Sequence, residues 1–121
     1  MASIKDLQDE CHARARGAGW WADFFSMPEG LRKYYIGCKM ALIHSEVSEA
    51  LEGFRTGIAD PHLPERSNVE VELADAVIRI FDLAGGLGLN LEEAIAEKME
   101  YNAHRADHTR EARAAKGGKS I

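Results

Sequence analysis

Cysteine is scarce: Cys11 and Cys38 are a lone pair without a C-x-x-C spacing, so neither a thiolate zinc site nor a disulfide framework is suggested. There is no excess of positive charge. Fifteen Lys and Arg stand against twenty Asp and Glu, a formal charge of −5. A nucleic-acid duplex is therefore not the expected partner, and any phosphate must be met locally or through a metal. No apolar run approaches the length of a membrane span, and the opening Met1-Ala-Ser-Ile-Lys-Asp6 has no apolar signal core, so a cytoplasmic protein is expected. No stretch alternates apolar and polar residues with a period of two, which argues against strands.

What is present is a helical pattern over one domain, residues 1–121. Ser3 with Asp6, Ser67 with Glu70 and Asn90 with Glu93 read as helix N-caps, each a small polar side chain three residues before an acid. Ser26 with Glu29, and Pro28 between them, reads as a fourth. Gly17-Ala-Gly19 ends the first helix, whose apolar face is Ile4, Leu7, Cys11 and Ala15. Trp20-Trp21 and Phe24-Phe25 are expected in a connection. The second helix is expected to run to Phe54 or Arg55, divided if at all at Gly37. A loop marked by Gly57, Pro61 and Pro64 follows. Gly85-Gly86-Leu87-Gly88 closes the third helix, and the fourth turns Leu91, Ala94, Ile95 and Met99 inward. Residues 110–121 form a polar tail. The fold expected is all-α, an up-and-down bundle of four to five helices. The helix over residues 72–84 is apolar nearly all round, so one side of it is expected to pack on a second subunit, completing the bundle as a homodimer or tetramer.

Four polar residues interrupt that helix, Glu72, Asp75, Arg79 and Asp82, and at 3.6 residues per turn they fall in one stripe. Upstream, Met40, Ile43, Val47, Ala50 and Phe54 mark an apolar seam with Glu46 and Glu49 on its shoulder. Two helices thus each carry an acidic i,i+3 pair beside core positions. Packed antiparallel, they bring four carboxylates together, and carboxylates at a core need partners. A bound cation is the simplest. Hard oxygen donors select Mg²⁺ or Mn²⁺, which joins carboxylates to substrate phosphates. A di-iron site would want Glu-x-x-His on two helices, but position 49 is Glu and position 75 is Asp. His44, His104 and His108 lie off the pattern.

Glu46-x-x-Glu49, then Glu72-x-x-Asp75, then Lys98-x-x-x-Asn102-x-x-Arg105 resembles the all-α nucleoside triphosphate pyrophosphohydrolases of the MazG-like group. The likeness runs from about Trp20 to Lys119 and includes Gly19-Trp20-Trp21 and the Gly-Gly-Lys tail. It implies hydrolysis of a (d)NTP between the α- and β-phosphates. It implies Glu46, Glu49, Glu72 and Asp75 as Mg²⁺ ligands, and Lys98, Asn102 and Arg105 as contacts to phosphate and sugar. Many members have a Glu where this chain has Ser45, so the activation of water falls to Glu49 or to hydroxide held by the metal. Trp20 and Trp21 are the candidates for stacking on a nucleobase, Trp21 foremost, with burial in the core as the alternative for either. Lys98 and Arg105 are equally readable as a solvated face beside Glu97 and Glu100. Arg79 is expected to neutralise Asp75 or Asp82. Phosphoribosyl-ATP pyrophosphohydrolase and a non-catalytic helical dimer are the other readings that this constellation leaves open.

Overall fold

The computed structural model describes residues 2–105 and 109–120; His108 lies outside them. Among the described residues there are six α-helices and no β-strand: α1 (Ile4–Gly17), α2 (Ala22–Ser26), α3 (Arg32–Thr56), α4 (Asn68–Gly86), α5 (Leu91–Ala103) and α6 (Arg110–Ala114). The all-α expectation holds. No described helix is long and apolar enough to cross a membrane.

Three of the expected caps form. Ser3 accepts from the Asp6 N–H while Asp6 returns the bond, and Ser67 and Asn90 accept from the N–H groups of Glu70 and Glu93. The Ser26 cap does not form. Its hydroxyl turns back to the carbonyls of Ala22 and Asp23, because Ala22–Ser26 is itself a helical turn rather than a connection. A 3₁₀ turn, Glu29–Leu31, intervenes, and α3 starts at Arg32 without a side-chain cap. Nor is α3 divided at Gly37. It runs unbroken to Thr56 and ends on Gly57 in the left-handed conformation, φ +67°. The tail is partly ordered, α6 being capped by Thr109.

α4 is the central element, packed on one side against α3 and on another against α1. Contacts fix the directions. Lys39, Glu46 and Gly53 of α3 meet Asp82, Arg79 and Asn68 of α4 in turn, so the pair is antiparallel. His12 of α1 meets Asp82 and Gly85, while Gln8 reaches Leu89 and Leu91 beyond the end of α4, so α1 is antiparallel to α4 as well. Glycine notches allow these approaches. A Cβ on Gly85 would strike His12, and one on Gly86 would strike the Trp21 ring. These two glycines therefore stay inside α4, and Gly88, at φ +69°, makes the exit.

The α3–α4 turn is tied down by Asp60. Its buried carboxylate accepts from the N–H groups of His62 and Leu63, both at 2.8 Å, and its own N–H donates to Arg66.

The faces buried differ from those expected. On α3 the buried line is Glu46, Ala50 and Gly53, while Met40, Val47 and Phe54 of the expected seam are exposed. On α4, Ala76, Leu83 and Ala84 are buried, whereas Leu73, Val77, Ile78 and Ile80 are exposed. Of the four residues of α5 expected to face inward, Leu91 is half-buried, and Ala94, Ile95 and Met99 are exposed. The reason is local: α5 leans on α1 through its first turn, and every residue from Glu93 to Tyr101 is exposed.

Candidate metal centre

Halfway along the α3–α4 hairpin, Glu46 points straight at α4 and is buried, at 8% exposure. Its position follows from the tight crossing two turns further on. A Cβ on Gly53 would fall 1.9 Å from Asn68 Oδ1, so only glycine lets α4 come this near. Asn68 in turn donates to Glu72 Oε1 at 3.2 Å and steers that carboxylate toward α3. With Asp75 one turn beyond, Glu46, Glu72 and Asp75 each place an acceptor atom within 4.8 Å of the others. Glu49 sits beside them, exposed, close enough for its carboxylate to act directly on Glu46 and Glu72. The four acids of the two sequence motifs are thus neighbours, three of them converging and the fourth at the rim.

Among the described residues, a single cation is hydrogen-bonded into this group. Arg79 Nε donates to Glu46 Oε1 at 2.7 Å, so Arg79 pairs across helices with Glu46 rather than with Asp75 or Asp82 on its own helix. Residues on one helical stripe point the same way, and the carboxylate opposite is the nearer one.

The charge imbalance shifts the carboxyl groups. Burial raises Glu72, and carboxyl hydrogen bonds shared with Glu46 and Glu49 raise it further, to about 7. Burial also raises Asp75, with the negative charge of Glu46 adding to the effect. Burial pushes Glu46 upward too, but its bonds to Arg79 and to the Glu72 carboxyl outweigh that and hold it below the usual value. One proton shared among crowded carboxylates is what such a group does when no dication is among them. The donor set is carboxylate oxygen, the kind that hard divalent cations take.

No family model, curated protein or solved structure matches this chain. The site therefore stands on its own residues.

The remaining candidates fall elsewhere. Trp21 is 1% exposed, and its indole N–H donates to Asp82 at 2.8 Å. Its ring packs edge-on against His12 and Phe24. The expectation that it stacks on a base is corrected: both faces are occupied by the protein. Trp20, 70% exposed, is the available ring. With Tyr35, Cys38, Lys39 and Leu42 it lines a hollow of about 390 Å³, whose Leu42 edge is one helical turn from Glu46. Lys98 and Asn102 ride on α5 and Arg105 lies just past its end; the main packing of α5 is on α1. Lys98 lies over the Tyr101 ring at 4.6 Å, with Arg105 at 5.7 Å. Asn102 Oδ1 is buried with no hydrogen-bond partner among the described residues. His44 and His104 are exposed, the latter 3.4 Å from Glu100.

Sequence reasoning missed Asn68 and Gly53. The only signal was Ser67-Asn68 at a helix start, which reads as capping and nothing more.

Proposed function

We propose that this chain is a Mg²⁺-dependent nucleotide pyrophosphohydrolase, with Mn²⁺ able to serve, which cleaves a (d)NTP to (d)NMP and pyrophosphate. In this reading it is a cytoplasmic, MazG-like homo-oligomer that clears the nucleotide pool. The observation that carries it is the convergence of Glu46, Glu72 and Asp75 on facing helices with too little positive charge among them. The choice of triphosphate comes from the motif resemblance.

Glu46, Glu72 and Asp75 would hold the ion. When bound, Mg²⁺ neutralises phosphate oxygens and makes a water easier to deprotonate. Glu49, exposed at the rim, would accept that proton, the role opened by Ser45. Arg79 fixes Glu46 by a charge-assisted bond, so the carboxylate keeps one orientation. Trp20 and Tyr35 around the neighbouring hollow offer flat apolar surface suited to a nucleobase. Lys98, Asn102 and Arg105 keep the phosphate- and sugar-contacting role that the resemblance gives them.

A panel of ribo-, deoxy- and modified triphosphates incubated with Mg²⁺, with products resolved by chromatography, tests the reading. Monophosphate and pyrophosphate in equal amounts, abolished by chelator, are expected. Release of orthophosphate, or turnover in excess chelator, refutes the mechanism. Mg²⁺ binding without turnover of any nucleotide points to the non-catalytic helical dimer.

A further inference from the structure

Tyr35, Lys39, Leu42 and Glu46 follow one another on α3 at steps of 4, 3 and 4, so they share one face of the helix. The first three line the hollow beside Trp20, and the last belongs to the acidic centre. Tyr35 and Glu46 are eleven residues apart, about 16 Å along the helix axis. An extended nucleoside triphosphate covers that span, with its base in the hollow and its phosphates among the acids.

The donors of the hollow are already spent. The N–H groups of Ala18, Gly19 and Trp20 donate to the carbonyls of Arg14, Arg16 and Ala15. The Tyr35 hydroxyl donates to the Trp20 carbonyl. Lys39 Nζ lies 3.5 Å from Asp82 and over the Trp21 and Tyr35 rings. Cys38 adds only a weak S–H. What the wall has left for a base is an acceptor. The Asp23 carboxylate lines the hollow, is exposed, and is paired with no side chain among the described residues. It stands near the Tyr35 ring: burial, and then the charges of Asp82 and Asp23, push that phenol above its ordinary value.

Two carboxylate oxygens side by side match two donors side by side, as in a fork-to-fork pair with arginine. Of the common bases only guanine carries such an edge, N1–H beside the N2 amine. Hypoxanthine keeps N1–H and lacks the amine. Adenine and cytosine set a ring-nitrogen lone pair beside their amine, and uracil and thymine flank their N–H with carbonyls. Each of these four turns an acceptor toward the carboxylate. We propose, resting on the nucleotide reading given above, that Asp23 selects guanine nucleotides: the base lies against Trp20 and Tyr35 and donates N1–H and N2–H to the carboxylate.

Calorimetric binding of guanosine, inosine, adenosine, cytidine and uridine monophosphates to the full chain in Mg²⁺ tests this without turnover, since a monophosphate has no anhydride to cleave. The guanosine form should bind tightest, and the inosine form about 10-fold more weakly, for the lost bond to a charged acceptor. Asp23→Asn offers one oxygen and one amine, which pair equally with N1–H and O6 of either purine. It should erase the difference between the guanosine and inosine forms and leave the melting temperature unchanged, because the side chain is exposed. Equal affinity of the unmodified protein for these two forms overturns the proposal. So does a gap that survives in Asp23→Asn, or failure of all five to bind. Pyrophosphate release from triphosphates without a guanine preference removes the role of Asp23 alone. A guanine preference without release upholds Asp23 and counts against the hydrolase.

Discussion

Glu72 and Asp82 lie on the same stripe of α4, ten residues apart, and α3 supplies a partner to each neighbourhood. Their surroundings are opposites. Asp82 accepts from Trp21 Nε1 at 2.8 Å, lies 3.0 Å from His12 Nδ1, and has Lys39 Nζ at 3.5 Å. Three groups from three other segments, His12 of α1, Trp21 at the start of α2 and Lys39 of α3, converge on one carboxylate, and it ties the α1–α3–α4 core together. Glu72 meets two other carboxylates, and what eases its charge is the Asn68 amide. A buried acid that the chain itself satisfies is a structural device. One surrounded by its own kind calls for something the chain does not contain.

Exchanging charge for an amide separates the two most sharply. Glu72→Gln and Asp75→Asn should each lower kcat by about 10³ or more, since ion positioning acts in the transition state. Glu49→Gln should do the same if it takes the proton. Melting curves of the apo variants should stay level or rise, because repulsion among the acids is relieved. Steady-state kinetics beside calorimetry checks both halves, and near-normal kcat in all three variants removes the site.

Asp82→Asn should do the reverse. It keeps an acceptor for the Trp21 N–H but leaves the Lys39 ammonium without its carboxylate, and should cost about 2–4 kcal/mol of unfolding free energy. Chemical denaturation measures this, and an unchanged midpoint would show that the Asp82 cluster is not what holds α1 to α4.

A pH series sharpens the contrast further. The fold holds the Glu72 proton up to about pH 7, whereas the unfolded chain releases it near the ordinary carboxylate value. The stability from this group is therefore fully present at low pH and is lost as pH rises through about 7. Mg²⁺ competes with that same proton, so its affinity should strengthen from pH 6 to 8. Titration calorimetry should show proton release on ion binding that is greater at pH 6 than at pH 8, and Glu72→Gln should flatten both slopes.

Smallest are the effects on substrate binding. Lys98→Ala and Arg105→Ala should raise KM several-fold with kcat little changed, through lost charge-assisted contacts. Trp20→Ala should raise KM similarly at unaltered stability, while Trp21→Ala destabilises. Unchanged KM in both Lys98→Ala and Arg105→Ala would limit α5 and its end to a structural role.

Legibility in the sequence followed range. The caps at Ser3, Ser67 and Asn90 were readable because each is closed by an N–H three residues away. The acid pairs were readable because helical spacing places Glu46 by Glu49 and Glu72 by Asp75. Asp82 could not be told from Glu72, since its partners Lys39, Trp21 and His12 stand 43, 61 and 70 positions away. Trp21 was misjudged for the same cause: what encloses it is Gly86, a missing side chain on a distant helix. The seam on α3 was drawn one strip too far round, because an apolar stripe looks alike whether it meets its own chain or stays uncovered.

Gly53 carries a consequence for the kind of ion admitted. The gap between α3 and α4 is gauged by a methyl group that is not there, two turns from Glu46 and touching no carboxylate. Mg²⁺ wants oxygens at about 2.0–2.1 Å and Ca²⁺ at about 2.3–2.6 Å. Restoring that methyl as Ala would act as a shim, prising the helices apart at Asn68 and widening the seat. Selection by ionic radius would then be written into a residue with no donor atom of its own.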